Sequence, residues 1–104
     1  MREGDQLLRE FKFSILDNAS DYASGLEDEK VLLQGVVDCA LIEADGITIV
    51  DFKTDRVTKD SLPSLTAHYR PQVETYAQAL ERIFEMPVKR KYLYFFRLNH
   101  FVNL

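Results

Sequence analysis

An Asp45-Gly46 dipeptide between two apolar, β-branched runs constrains this chain more than any other feature. Asp-Gly suits the type I′ hairpin turn, whose two central residues both need positive φ. Val31 to Ile42 before it and Ile47 to Thr54 after it are therefore expected to be antiparallel strands, closing on an Ala44–Ile47 pair. The first run carries apolar residues on both faces and is expected to be central in a sheet. Downstream the period changes. Val73, Tyr76, Ala77, Leu80, Ile83 and Phe84 recur at helical spacing, which predicts a helix from about Tyr69 to Glu85. Pro71 then has to lie in its first turn, and Pro87 ends it. Leu8 to Ile15 alternates Phe11, Phe13 and Ile15 against Glu10, Lys12 and Ser14, as a strand does. Val88 to Leu98, rich in aromatics, predicts a further strand, which Phe101 to Leu104 extends after a short turn. The polar stretches at 17–30 and 55–64 read as loops, the first including a solvated Glu27-Asp28-Glu29 run. The order strand, strand, strand, helix, strand predicts an α/β fold: a mixed β-sheet with a flanking helix.

At 104 residues the chain is at most one domain. A formal net charge of -4 argues against a broad nucleic-acid-binding surface, although carboxylates that ligate a cation also count as negative. A single cysteine excludes an internal disulfide framework. No apolar run approaches the ~20 residues of a membrane span, so no membrane partner is expected. A strand-rich start predicts that Met1 opens a partial domain, a piece of a longer protein.

The hairpin also gathers charge. Side chains alternate along a strand, so Asp51 and Lys53 share a face. With Asp45-Gly46 as the loop, Asp38 sits opposite Lys53 and Asp51 is its diagonal neighbour. Opposite residues lie about 5 Å apart and diagonal ones roughly 7–8 Å, so the three polar tips converge. The plain alternative is an Asp38–Lys53 ion pair. A second carboxylate over-supplies negative charge for one lysine, and crowded like charges call for a cation. Hard divalent ions take oxygen ligands. Two acids, a lysine and such an ion are the equipment of metal-dependent phosphodiester hydrolysis.

The ordered set G-V-V-D at 35–38, D-F-K-T-D at 51–55 and Y-R-P-Q-V-E-T-Y-A-Q-A-L at 69–80 resembles the PD-(D/E)XK nuclease superfamily, and most closely its RecB-like branch. The residues at 9–13 and the aromatic last strand are similar to the C-terminal nuclease domain of AddA subunits in bacterial AddAB-type helicase–nucleases. The resemblance spans nearly the whole chain and implies a restriction-endonuclease-like core. It implies Asp38 and Asp51 as metal ligands, helped by the Phe52 carbonyl, and Lys53 as the catalytic lysine. Glu10 matches, less closely, an acidic residue before the core hairpin and is a further candidate ligand. Mg²⁺ is the implied cofactor, with Mn²⁺ able to substitute. Gln72, Tyr76 and Tyr69 share a helix face and either brace the site or touch DNA. The plain alternative for these is a core Tyr76 and a surface Gln72.

The resemblance further implies an exonuclease-type activity on DNA, in double-strand-break repair and recombination in the cytoplasm. The implied partners are DNA, helicase domains of the same parent chain and an AddB-type subunit. The family carries a histidine on a helix before the first strand. No residue here matches it, and His68 and His100 come after the motif, so the fold is expected to lack its N-terminal helix and to cleave weakly alone. No G-x-x-x-x-G-K-[ST] loop occurs in this stretch. The competing class is a non-catalytic DNA-binding or assembly module on the same fold. Asp55 reads as an ion-pairing or turn-capping residue, Cys39 as a core residue facing away from Asp38, and Lys89-Arg90-Lys91 as a solvated strand end.

Overall fold

The computed structural model describes residues 4–18 and 29–104. Most of the acidic loop expected at 17–30, with Glu27 and Asp28, lies outside them. The elements are β1 (Gln6–Asn18), β2 (Lys30–Glu43), β3 (Gly46–Lys53), α1 (Leu62–Phe84), β4 (Val88–Phe95) and β5 (His100–Asn103). They form one five-stranded sheet in the order β1-β2-β3-β4-β5. β1, β2 and β3 run antiparallel, and β3 pairs parallel with β4. A parallel pair needs a crossover, and α1 supplies it. The chain's end is a separate antiparallel strand, β5, on the far edge of β4. The expected extension of β4 thus folds back, because Asn99 takes a left-handed φ of 50° and reverses the chain.

The helix covers one face of the sheet. Val73, Tyr76, Ala77 and Leu80 are buried beneath it, Phe84 packs at the rim and Ile83 is left exposed. Opposite them stand Ile47, Ile49, Leu93 and Phe95, all fully buried. The helix begins at Leu62, not near Tyr69, so Pro71 lies in its interior and Pro63 occupies the first turn. Pro71 removes the amide that would bond the Ala67 carbonyl, but both residues are exposed and water can serve that carbonyl. The last turn closes on Glu85, whose left-handed φ of 54° and N–H bond to the Glu81 carbonyl stop the helix before Pro87.

The hairpin register also differs from expectation. Glu43 pairs with Gly46 and Ile42 with Ile47, so the loop is Ala44-Asp45. Neither loop residue has positive φ; Gly46 takes it instead, at 153°. A Cβ on Gly46 would lie 2.8 Å from the Pro87 carbonyl oxygen, where β4 enters the sheet and Ile47 N–H bonds that same carbonyl. Gly46→Ala is expected to destabilise the fold by about 1–3 kcal/mol, read from the urea midpoint. An unchanged midpoint would show that the β3–β4 junction is not tight.

One irregularity bears on function. Leu8 and Phe11, three residues apart, both pack on the core, and Val37 and Ala40 are both fully buried. Strict alternation forbids that. The β1–β2 ladder skips one step, between Arg9↔Cys39 and Phe11↔Val37, and the residues left there are Glu10 and Asp38. Glu10 takes a left-handed φ of 49°, an uncommon state for a non-glycine residue.

Candidate active site

Asp38 stands where two ladders give out. The β2–β3 pairing ends at Cys39↔Val50, and beyond it the Asp38 carboxylate, through Oδ2, accepts the Phe52 backbone N–H at 2.9 Å. The observed register differs by two residues from the expected one, an even slip that preserves faces. It moves Asp38 from the place across Lys53 to the place across Asp51. The two carboxyls therefore sit beside each other.

Asp51 is only 3% exposed. Burial first, then the neighbouring Asp38 carboxyl, push its pKa from 3.8 up to about 6, against the pull of Lys53. Lys53 Nζ lies 2.9 Å from Asp51 Oδ2, an ion pair poorly aligned as a hydrogen bond. The lysine also donates to Gln72 Oε1 at 3.0 Å. Its ammonium also lies 4.0 Å from the centroid of the Tyr69 ring, within cation–π range. Gln72 and Tyr69, one turn apart on α1, thus fix the lysine from the helix side.

Tyr76 is a core residue, edge-on to Phe13 at 5.8 Å between centroids. Burial raises its phenol pKa, and Asp51 and Asp38 raise it further, so its polar end lies within electrostatic reach of both acids. Gly35 makes room for the ring: a Cβ there would meet Tyr76 Cε1 at 2.9 Å.

Glu10 is exposed and lines a cleft with Arg9, Asp38, Cys39 and Phe52. It is beside Asp38 but does not join a cluster with both aspartates; among the described residues no group of three His, Cys, Asp or Glu converges. His68 and His100 are exposed, and among the described residues neither joins a group of three possible metal ligands. Cys39 is half-buried on the cleft wall rather than packed in the core, at the edge of the step that the β1–β2 ladder skips. Lys91 bonds Glu74 at 2.6 Å, and Arg90 bonds Thr48 and Glu43, so two cations of the 89–91 run are engaged with the chain itself.

Sequence reasoning missed the support around β3's end. Asp55 accepts the Tyr69 hydroxyl at 2.8 Å, Arg97 Nε donates to the Thr54 carbonyl at 3.0 Å, and Phe96 N–H bonds the Lys53 carbonyl. The alternation 51, 53, 55 was the available signal for Asp55.

A pair of adjacent acids and a lysine stand at the frayed end of a hairpin, braced by the crossover helix. The profile of the PD-(D/E)XK nuclease superfamily matches residues 2–102, a span that contains all of them. The chain belongs to the PD-(D/E)XK nuclease superfamily. It is also 41% identical over 106 residues to the A subunit of the ATP-dependent helicase/nuclease of Bacillus mycoides, covering 92% of this chain and 8% of that protein. The proteins of the same name from Bacillus cytotoxicus and Alkaliphilus oremlandii are 38% and 37% identical over 98% and 100% of the chain, and 9% of their own length. The chain thus spans less than a tenth of these relatives. Nucleases of this superfamily use divalent metal ions. The donor set here fits one: the buried Asp51 carboxylate lies beside the Asp38 carboxylate, and the single lysine at 2.9 Å leaves its pKa raised. No helix among the described residues is long and apolar enough to cross a membrane.

Proposed function

We propose that this chain is the nuclease module of a longer helicase–nuclease and hydrolyses DNA phosphodiester bonds with Mg²⁺. The observation that carries the reading is Asp51: a buried carboxylate crowded by Asp38, whose pKa stays raised to about 6 even with Lys53 2.9 Å away. Lys53 meets Asp51 and Gln72 at once, since an ammonium has three donors, but one lysine cannot balance two crowded carboxylates.

Asp38 and Asp51 would hold the ion, with Glu10 placed to approach from the cleft wall and Mn²⁺ able to replace Mg²⁺. When bound, the ion lowers the pKa of its water and offsets charge on the scissile phosphate. The remaining steps belong to the protein. Asp38 accepts the Phe52 amide, which fixes the carboxylate's orientation towards Asp51. Lys53 is held by Gln72 and the Tyr69 ring, so its ammonium meets the reacting phosphate in a set position and neutralises charge that develops there. Tyr76 closes the floor of the site with its ring in the core. The motifs' resemblance to AddA nuclease domains further implies an exonuclease-type role in double-strand-break repair and recombination in the cytoplasm. The helicase domains of the same parent chain would supply the DNA strands, alongside an AddB-type subunit.

The test is Mn²⁺ titration by calorimetry, paired with a DNA cleavage assay. One Mn²⁺-binding event that Asp51→Ala removes, with Mg²⁺-dependent cleavage in the longer protein, is expected. The 104-residue chain alone should cleave weakly, since only two acids converge among the described residues. Absence of Mn²⁺ binding by the longer protein would overturn the reading in favour of a buried ion pair.

A further inference from the structure

We infer that Asp55 is a positioning residue for Lys53 and acts through the Tyr69 ring. The role in cleavage rests on the nuclease reading above; the mechanical coupling does not. Among the described residues, three groups meet the Lys53 ammonium: Asp51 Oδ2 at 2.9 Å, Gln72 Oε1 at 3.0 Å and the Tyr69 ring at 4.0 Å. A cation bound at Asp51 competes with the lysine for that oxygen. Once it does, only Gln72 and the ring define where the ammonium sits.

The ring in turn has an anchor. Its hydroxyl donates to Asp55 Oδ2 at 2.8 Å in a partly buried setting. A phenol that donates to a carboxylate is richer in electrons, which strengthens the attraction of its face for a cation. Asp55 follows Lys53 by two positions on the same extended stretch. That stretch is itself tied to the end of β4, by Phe96 N–H to the Lys53 carbonyl and by Arg97 to the Thr54 carbonyl. The backbone that carries the lysine therefore also carries the acid that sets the ring against it. The loop is closed by covalent chain on one side and by one hydrogen bond on the other.

Two readouts test this. In the 104-residue chain, the Lys53 ε-methylene protons are expected to be shifted upfield by the ring face, by NMR. Asp55→Ala and Tyr69→Phe should each reduce that shift, and Asp55→Asn, which keeps a carbonyl acceptor, should restore most of it. In the longer protein, each of the first two variants should lower kcat about tenfold with KM little changed, and the double variant should be no worse than either single. A ring that merely pinned the loop would change stability without moving the lysine signal. A Lys53 signal unmoved in Asp55→Ala and in Tyr69→Phe, or single effects that multiply in the double variant, would overturn the inference. Tyr69→Phe keeps a ring but removes the hydroxyl that anchors it, and decides the matter if Asp55→Ala fails to fold. Loss of the upfield shift in a protein that never cleaves DNA would uphold the coupling and sink the nuclease reading instead.

Discussion

Lys53→Ala is expected to abolish DNA cleavage by the longer protein, by about 10²–10³-fold or more, while ATP-driven unwinding stays nearly intact. The ammonium lies beside Asp51 and is held by Gln72, so on the proposed reading its charge would act at the phosphate and at no distant motor. Mn²⁺ affinity should survive or rise, because both carboxylates remain and a competing cation is gone. Asp51→Ala should lose cleavage and Mn²⁺ binding together. The comparison that decides is nuclease rate, unwinding rate and Mn²⁺ affinity for both variants. Parental cleavage in Lys53→Ala, or equal loss of unwinding in both, would refute the division of roles.

The same crowding costs stability when no cation is bound. The Asp51 carboxyl is neutral up to about pH 6 in the folded chain but ionises from a value of 3.8 when unfolded. A raised folded pKa gives a contribution fully present below the unfolded value and lost as pH rises through the folded one. The metal-free chain should therefore lose stability from this group between about pH 4 and pH 6. The ceiling is about 3 kcal/mol, at ~1.4 kcal/mol per unit. Asp51→Asn should remove that slope and raise stability at pH 7 in EDTA, while abolishing Mn²⁺ binding. Mg²⁺ should reverse the sign for the parent by binding the ionised form. Urea midpoints at pH 4 and pH 7, with EDTA and with Mg²⁺, measure this. Parallel pH profiles for parent and Asp51→Asn would mean that burial and Asp38 together do not raise the Asp51 pKa. The trade is the usual one at a functional site: the arrangement proposed to bind the ion strains the fold without it.

Much of this architecture is legible in the residues. The period-2 runs and the switch to helical spacing at Val73, Tyr76, Ala77 and Leu80 place the strands, the helix and its buried stripe. Local sterics and the alternation of side chains suffice for that. The placing of Asp51 and Lys53 on one face needs only their spacing. Local preference misleads where it meets a tertiary demand. Asp45-Gly46 has the chemistry of a type I′ turn, yet Gly46 is taken by the β3–β4 junction, where Pro87 leaves no space for a Cβ. Pro71 has the character of a first-turn residue, but the sheet face rewards a longer helix and the proline is free to face water.

By itself, then, the sequence determined the order of elements, the helix face that meets the sheet and the residue types that gather at the hairpin's end. Those follow from interactions within a few residues. Tertiary structure alone decided the meeting of Asp38 with Asp51 across a slipped register, and the skipped step at Glu10 that opens the cleft. It alone decided the tether running from Asp55 through Tyr69 to Lys53. Each of these joins groups on different strands or on strand and helix, and depends on where pairing stops and on how the sheet twists. Both are properties of the packed sheet, which no local pattern records.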